Sequence, residues 1–126
     1  MNLPRPATIQ GYLLKHVNKI KLLTLNRYPK RYFLLDVDQG ELIVKTEKVM
    51  PNRVCQRIPF RDLLTVSMVR YEPLIDGNAK WVYVFTLLTL SRHFRLYCAT
   101  EQDRRMWVES LASVIALKQM RQVINF

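Results

Sequence analysis

Glycine is scarce in this 126-residue chain, which has only Gly11, Gly40 and Gly77. These lie far apart, so there is no Gly-rich loop of the kind that cradles nucleotide phosphates. Cysteine is limited to Cys55 and Cys98, which have neither the spacing of a zinc site nor the count of a disulfide framework. They read as free thiols in a reducing compartment. The histidines, His16 and His93, fall in different predicted strands with no nucleophile or carboxylate at a suggestive spacing. No stretch approaches the ~18 apolar residues of a membrane span, and the start has no apolar signal segment and no glycine after Met1. The expectation is a non-catalytic chain with no metal or cofactor, located in the cytoplasm.

Acidic residues are missing from the first part of the chain. Arg5, Lys15, Lys19, Lys21, Arg27, Lys30 and Arg31 all precede the first carboxylate, Asp36. The formal net charge is +10, and the remainder of the chain is nearly balanced, so the excess is local. A local excess of cations favours a dedicated anion site over general solubility, the alternative being a merely solvated basic face. Hydrophobic residues make up 49% of the chain, enough for an ordinary globular core. The length fits one domain, 1–126, with a core of about 8–118 and short flanking segments.

Short β-type runs broken by turn signals occupy Thr8–Val17, Lys30–Val37, Glu41–Thr46, Val54–Pro59, Leu64–Tyr71, Trp81–Leu88 and His93–Ala99. Asp38-Gln39-Gly40 and Ser91-Arg92 mark tight turns. After Ala99 the period changes to 3.6, with Thr100 as an N-cap and Asp103 three residues on. Trp107, Leu111, Val114, Ile115 and Lys118 then form one stripe, while Arg104, Arg105, Glu109 and Ser113 lie off it. These elements predict a mainly β protein: seven antiparallel strands in two near-orthogonal sheets, forming a barrel capped by one C-terminal α-helix.

The order and spacing of these fragments resemble a pleckstrin-homology domain from about Gln10 to Ile115. Gly11-Tyr12-Leu13-Leu14-Lys15 is similar to the family's G-x-L-x-K, and Lys30-Arg31-Tyr32-Phe33-Leu34-Leu35 to its second strand. Leu42-Ile43-Val44, Ile58-Pro59-Phe60, Phe85 and Phe94 to Ala99 follow in order. Trp107 then stands where the family carries its single helix tryptophan. The resemblance implies a PH-like barrel with Trp107, Phe33 and Phe85 in its core. Trp81 is read as packing.

Lys15 shares strand parity with Gly11 and Leu13, and Arg31 with Phe33 and Leu35. A cation of inward parity is tolerable only at a strand end, where the barrel opens, because burying it unpaired costs several kcal/mol. Lys15 and Arg31 flank one loop, which carries Lys19, Lys21 and Arg27. By resemblance this mouth is where an inositol phosphate headgroup binds, through Arg forks and Lys point charges. Lys30 has the opposite parity and suggests an outer basic surface. The family's further basic residue appears here as Pro29 and its frequent tyrosine as Val44, which implies modest selectivity. Ile20, Leu22, Leu23 and Leu25 interleave with the loop cations as a membrane-inserting finger would, or else they extend the strands or form a short packed helix.

The expected partners are therefore anionic membrane lipids, phosphoinositides or phosphatidic acid and phosphatidylserine, met by a peripherally associated adaptor module. The alternative is a protein-interaction domain of the same fold that takes a peptide along a strand edge or beside the helix. Nucleic acid ranks last. It would require exposed aromatics among the cations, and the candidates Tyr12, Tyr28 and Tyr32 also suit ordinary strand faces.

Overall fold

Alternating apolar and polar residues pair into seven strands in the computed structural model, which describes residues 7–17, 28–46, 54–68 and 80–124, with no side-chain detail for Cys55 and 122–124. The strands are β1 (Ile9–Lys15), β2 (Lys30–Asp36), β3 (Glu41–Lys45), β4 (Val54–Pro59), β5 (Leu63–Met68), β6 (Tyr83–Thr89) and β7 (His93–Cys98). A 3₁₀ turn, Phe60–Asp62, links β4 to β5, and the helix α1 spans Glu101–Ile124.

All seven strands belong to one antiparallel sheet in the order β4-β3-β2-β1-β7-β6-β5. The two halves anticipated as separate sheets are thus continuous, but the seam is narrow, since β1 meets β7 only at Leu14↔Tyr97 and Lys15↔Leu96. The tight turn after β2 closes where expected. The Gly40 N–H donates to the Asp36 carbonyl (2.9 Å) and the Gln39 N–H to the Asp36 carboxylate (3.1 Å). Gly40 has φ +70°, a conformation in which a Cβ would be strained.

The sheet wraps one core. Leu13, Phe33, Leu35, Leu42, Val44, Ile58, Leu63, Phe85, Leu87, Phe94, Leu96 and Cys98 from the strands meet Trp107, Leu111, Val114 and Ile115 of α1 in a single buried cluster. Trp107 is 2% exposed and sits edge-on to Phe33 at 6.4 Å. The helix begins at the expected cap, where the Thr100 hydroxyl accepts from the Asp103 N–H (3.0 Å). Farther along, Lys118 donates to the carbonyls of Arg61 (3.1 Å) and Leu63 (2.5 Å), tying the helix to the 3₁₀ turn. That tie explains why a cation stands at the end of the apolar stripe.

Arg104 departs from the helical reading, which set it off the stripe. It is only 7% exposed, with its guanidinium over the Tyr83 ring (5.6 Å) and 3.4 Å from the Val84 carbonyl, to which it donates. Its position three residues before Trp107 brings it to the flank of the packed face, where Tyr83 shelters the guanidinium and Glu101 meets it at 3.7 Å.

A second small cluster buries the opposite face of the seam. Leu14, Tyr28, Val84 and Tyr97 pack together with Trp81 partly covering them. Tyr28, considered above as an exposed stacking residue, is 5% exposed and lies at right angles to Tyr97 at 5.5 Å. Trp81 is packing here, in keeping with its reading from the sequence.

Candidate functional site

The β1–β2 register decides where the first cations go. Leu13 lies opposite Arg31, and the Lys15 N–H donates to the Pro29 carbonyl (3.0 Å). Lys15 and Arg31 are therefore diagonal neighbours on one face, a relation that separates residues by about 7–8 Å. It is the face of Leu13, Phe33 and Leu35, all within the core. At the strand ends it emerges from the core, and both cations are only partly buried. The Lys15 ammonium lies 5.4 Å from the centre of the Phe94 ring, so an aromatic of the core rim supports it. One Arg31 nitrogen donates to the Lys30 carbonyl (3.0 Å). Phe94 was not singled out beforehand, although its parity with Leu96 in β7 would have placed it inward.

Lys30 is on the other face. Its ammonium lies 5.0 Å from the centre of the Tyr12 ring, which meets the Tyr32 ring edge-on at 5.1 Å. The Tyr32 hydroxyl donates to the Gln10 side chain (2.6 Å), and burial, with a smaller contribution from Tyr12, raises its pKa. The structure thus brings together two of the six cations singled out above, Lys15 and Arg31, and separates Lys30 from them. Lys19, Lys21 and Arg27 lie outside the described residues, as do Ile20, Leu22, Leu23 and Leu25.

Chemically, a lysine and an arginine side by side at the end of a hairpin, with an aromatic beneath the ammonium, can donate several charge-assisted hydrogen bonds to a phosphate or carboxylate. Among the described residues no group of His, Cys, Asp and Glu has the arrangement of a metal site. No helix among them is long and apolar enough to cross a membrane.

A seven-stranded antiparallel sheet, curled over one core and closed by a C-terminal helix whose tryptophan enters that core, defines a pleckstrin-homology fold. The PH domain family model matches residues 7–116, and the chain belongs to that family, whose members are modules for lipid or protein binding. Among solved structures it is similar to the PH domain of human Oxysterol binding protein-related protein 11, with 17% identity and a TM-score of 0.66, covering 91% of this chain and 85% of that one. It is also similar to the C-terminal PH domain of human pleckstrin, with 22% identity and a TM-score of 0.63, covering 89% and 82%. A crystal structure of the carboxyl-terminal PH domain of pleckstrin gives 24% identity and a TM-score of 0.62, covering 88% and 99%. No curated protein matches the sequence significantly.

Proposed function

We propose that this domain is a non-catalytic membrane adaptor that binds the phosphate groups of anionic phospholipids at the mouth between β1 and β2. The observation that carries the reading is the placement of Lys15 and Arg31 as diagonal neighbours on the core-facing side, where that face opens at the strand ends. Arg31 supplies a planar fork and Lys15 a point charge steadied by Phe94. Lys19, Lys21 and Arg27 add charge to the intervening loop in sequence, with Ile20, Leu22 and Leu23 between them as candidates for membrane insertion. Lys30, on the outer face with Tyr12, contributes attraction to an anionic surface at longer range. Such a module would reside in the cytoplasm and associate peripherally with membranes.

Co-sedimentation with neutral, phosphatidylserine, phosphatidic acid and individual phosphoinositide vesicles, at low and physiological salt, tests this. Binding that persists at physiological salt and falls at least tenfold in Lys15→Ala/Arg31→Ala supports a headgroup site at the mouth; tenfold corresponds to about 1.4 kcal/mol. Binding that fades with salt and ignores the substitutions indicates a delocalised basic surface instead. No binding to any vesicle transfers the function to a protein partner.

A further inference from the structure

Edge strands expose a row of backbone N–H and C=O groups, and proteins usually blunt them with charge, proline or a bulge. The two edges of this sheet, β4 and β5, differ in that respect. β4 carries Arg57 and ends on Pro59, which has no N–H to offer, and a bulge at Val44/Lys45 breaks its ladder with β3. β5 reads Leu63-Leu64-Thr65-Val66-Ser67-Met68, with neither charge nor proline. Its irregularity falls at the start, between Leu63 and Thr65, and Thr65 to Met68 pair with β6 in unbroken register. Among the described residues no strand pairs with the other side of β5. Thr65, Ser67 and Met68 are exposed, Met68 to 52%.

Helix α1 packs along this strand. Lys118 holds the Leu63 carbonyl at the start of β5 (2.5 Å). At the other end Met68 lies opposite Phe85, two residues from Tyr83, whose ring carries the Arg104 guanidinium (5.6 Å). The helix therefore runs beside β5 in the opposite direction, with Arg104 toward the end of the strand and Lys118 at its start. Val66 of β5 and Val108 of α1 pack on the common core yet keep part of their apolar surface uncovered. Charge gathers at the start of the strand. The Arg61 side chain is 81% exposed, and Arg121, exposed too, stands three residues after Lys118 and so on the same side of the helix. Asp62, 3.9 Å from Arg61, is the acid among these cations.

We propose that β5 is a docking edge for an extended acidic segment of a partner protein, which adds to the sheet as a further strand beside α1. Backbone hydrogen bonds to β5 supply affinity, while an apolar side chain beside Met68 and carboxylates beside Arg61 and Arg121 set the register. Charge complementarity selects this occupant: β5 of a second copy carries no carboxylate to answer those cations. The inference goes beyond the membrane reading and does not depend on it. In the sheet β7 and β6 stand between β1 and β5, so a lipid at the mouth and a peptide at this edge use different residues.

The test is an amide NMR titration of the full chain with a synthetic peptide of alternating glutamate and valine, against the same peptide with lysine in place of glutamate, each at about 1 mM. The glutamate peptide is expected to shift the amides of β5 and of the adjoining turns of α1 and to slow hydrogen exchange along β5. The lysine peptide is expected to do neither. Arg61→Glu/Arg121→Glu, at two exposed positions, should weaken the glutamate peptide about tenfold and admit the lysine peptide, with little change in the thermal midpoint. Lys15→Ala/Arg31→Ala should titrate like wild type. Loss of the peptide shifts in that variant would place the peptide at the mouth and overturn the proposal. So would the absence of shifts at β5, or equal shifts with both peptides. Concentration-dependent shifts at β5 without peptide would assign the edge to a second copy, and slow exchange of every β5 amide in the free chain to another segment of this chain; either result overturns the acidic partner.

Discussion

Cys98 shows how a residue's surroundings set its chemistry. Its side chain is fully buried, and burial pushes the thiol up from its ordinary 9.0 to about 12, with Asp103 adding to the rise and Arg104 opposing it. A thiol so placed is inert at neutral pH. In a Cys55→Ser background, Cys98 is expected to resist an aromatic disulfide reagent until denaturant is added; reaction in the native state at the rate of a free thiol would contradict its burial. The pH dependence follows with a definite sign. Between pH 9 and 12 the unfolded chain has released this proton and the folded chain retains it, so stability is full below about pH 9 and declines as pH rises toward 12. Urea unfolding across that range should show the decline, and Cys98→Ala should flatten it. Some residue-level facts were plain in the sequence: the parity of Lys15 and Arg31, the turn at Gly40, the cap at Thr100. Arg104 was not, because helical angle alone puts it at the flank of the stripe, and whether a flank residue is covered depends on Tyr83 in a strand remote in sequence.

Helix α1 depends on its two attachments at the level of the element. Thr100 satisfies an amide N–H that would otherwise lack a helical partner, and Thr100→Ala should cost about 1 kcal/mol. Lys118 holds two carbonyls at the start of β5. Lys118→Met would keep much of the stem's packing but leave those carbonyls without the ammonium, a loss of about 1 kcal/mol because one of them is exposed. Chemical denaturation of both variants and of the pair measures these costs. The two sites are far apart on the helix, so the costs should add; marked non-additivity would mean that the helix ends are coupled. The strands were legible as elements, since period-two patterning is local. The 3₁₀ turn at Phe60–Asp62 was not, because Pro59 and Phe60 looked like a strand end, and only the step from one edge of the sheet to the other requires a turn there.

For the molecule as a whole, one core joins all seven strands to the helix, so the two halves of the sheet are held together chiefly by side chains, the backbone seam being only two residue pairs wide. Trp107→Ala should therefore cost about 3–5 kcal/mol, a large share of the ~5–15 kcal/mol typical of a domain. Loss should be cooperative: far-ultraviolet circular dichroism and the fluorescence of Trp81 should report one unfolding transition, and separate transitions for the halves would refute the single core. By itself the sequence determined what is written in local order: strand and helix periods, the inward parity of the β1 and β2 cations, the N-terminal concentration of positive charge, and the motif order that marks the family. Tertiary structure decided the rest. It joined the sheet through β1 and β7, buried Arg104 and Tyr28, set Phe94 beneath Lys15, and left β5 at the edge of the sheet beside α1. Periodicity reports which residues share a face, but whether another segment covers that face depends on contacts between residues distant in sequence, which no local pattern contains.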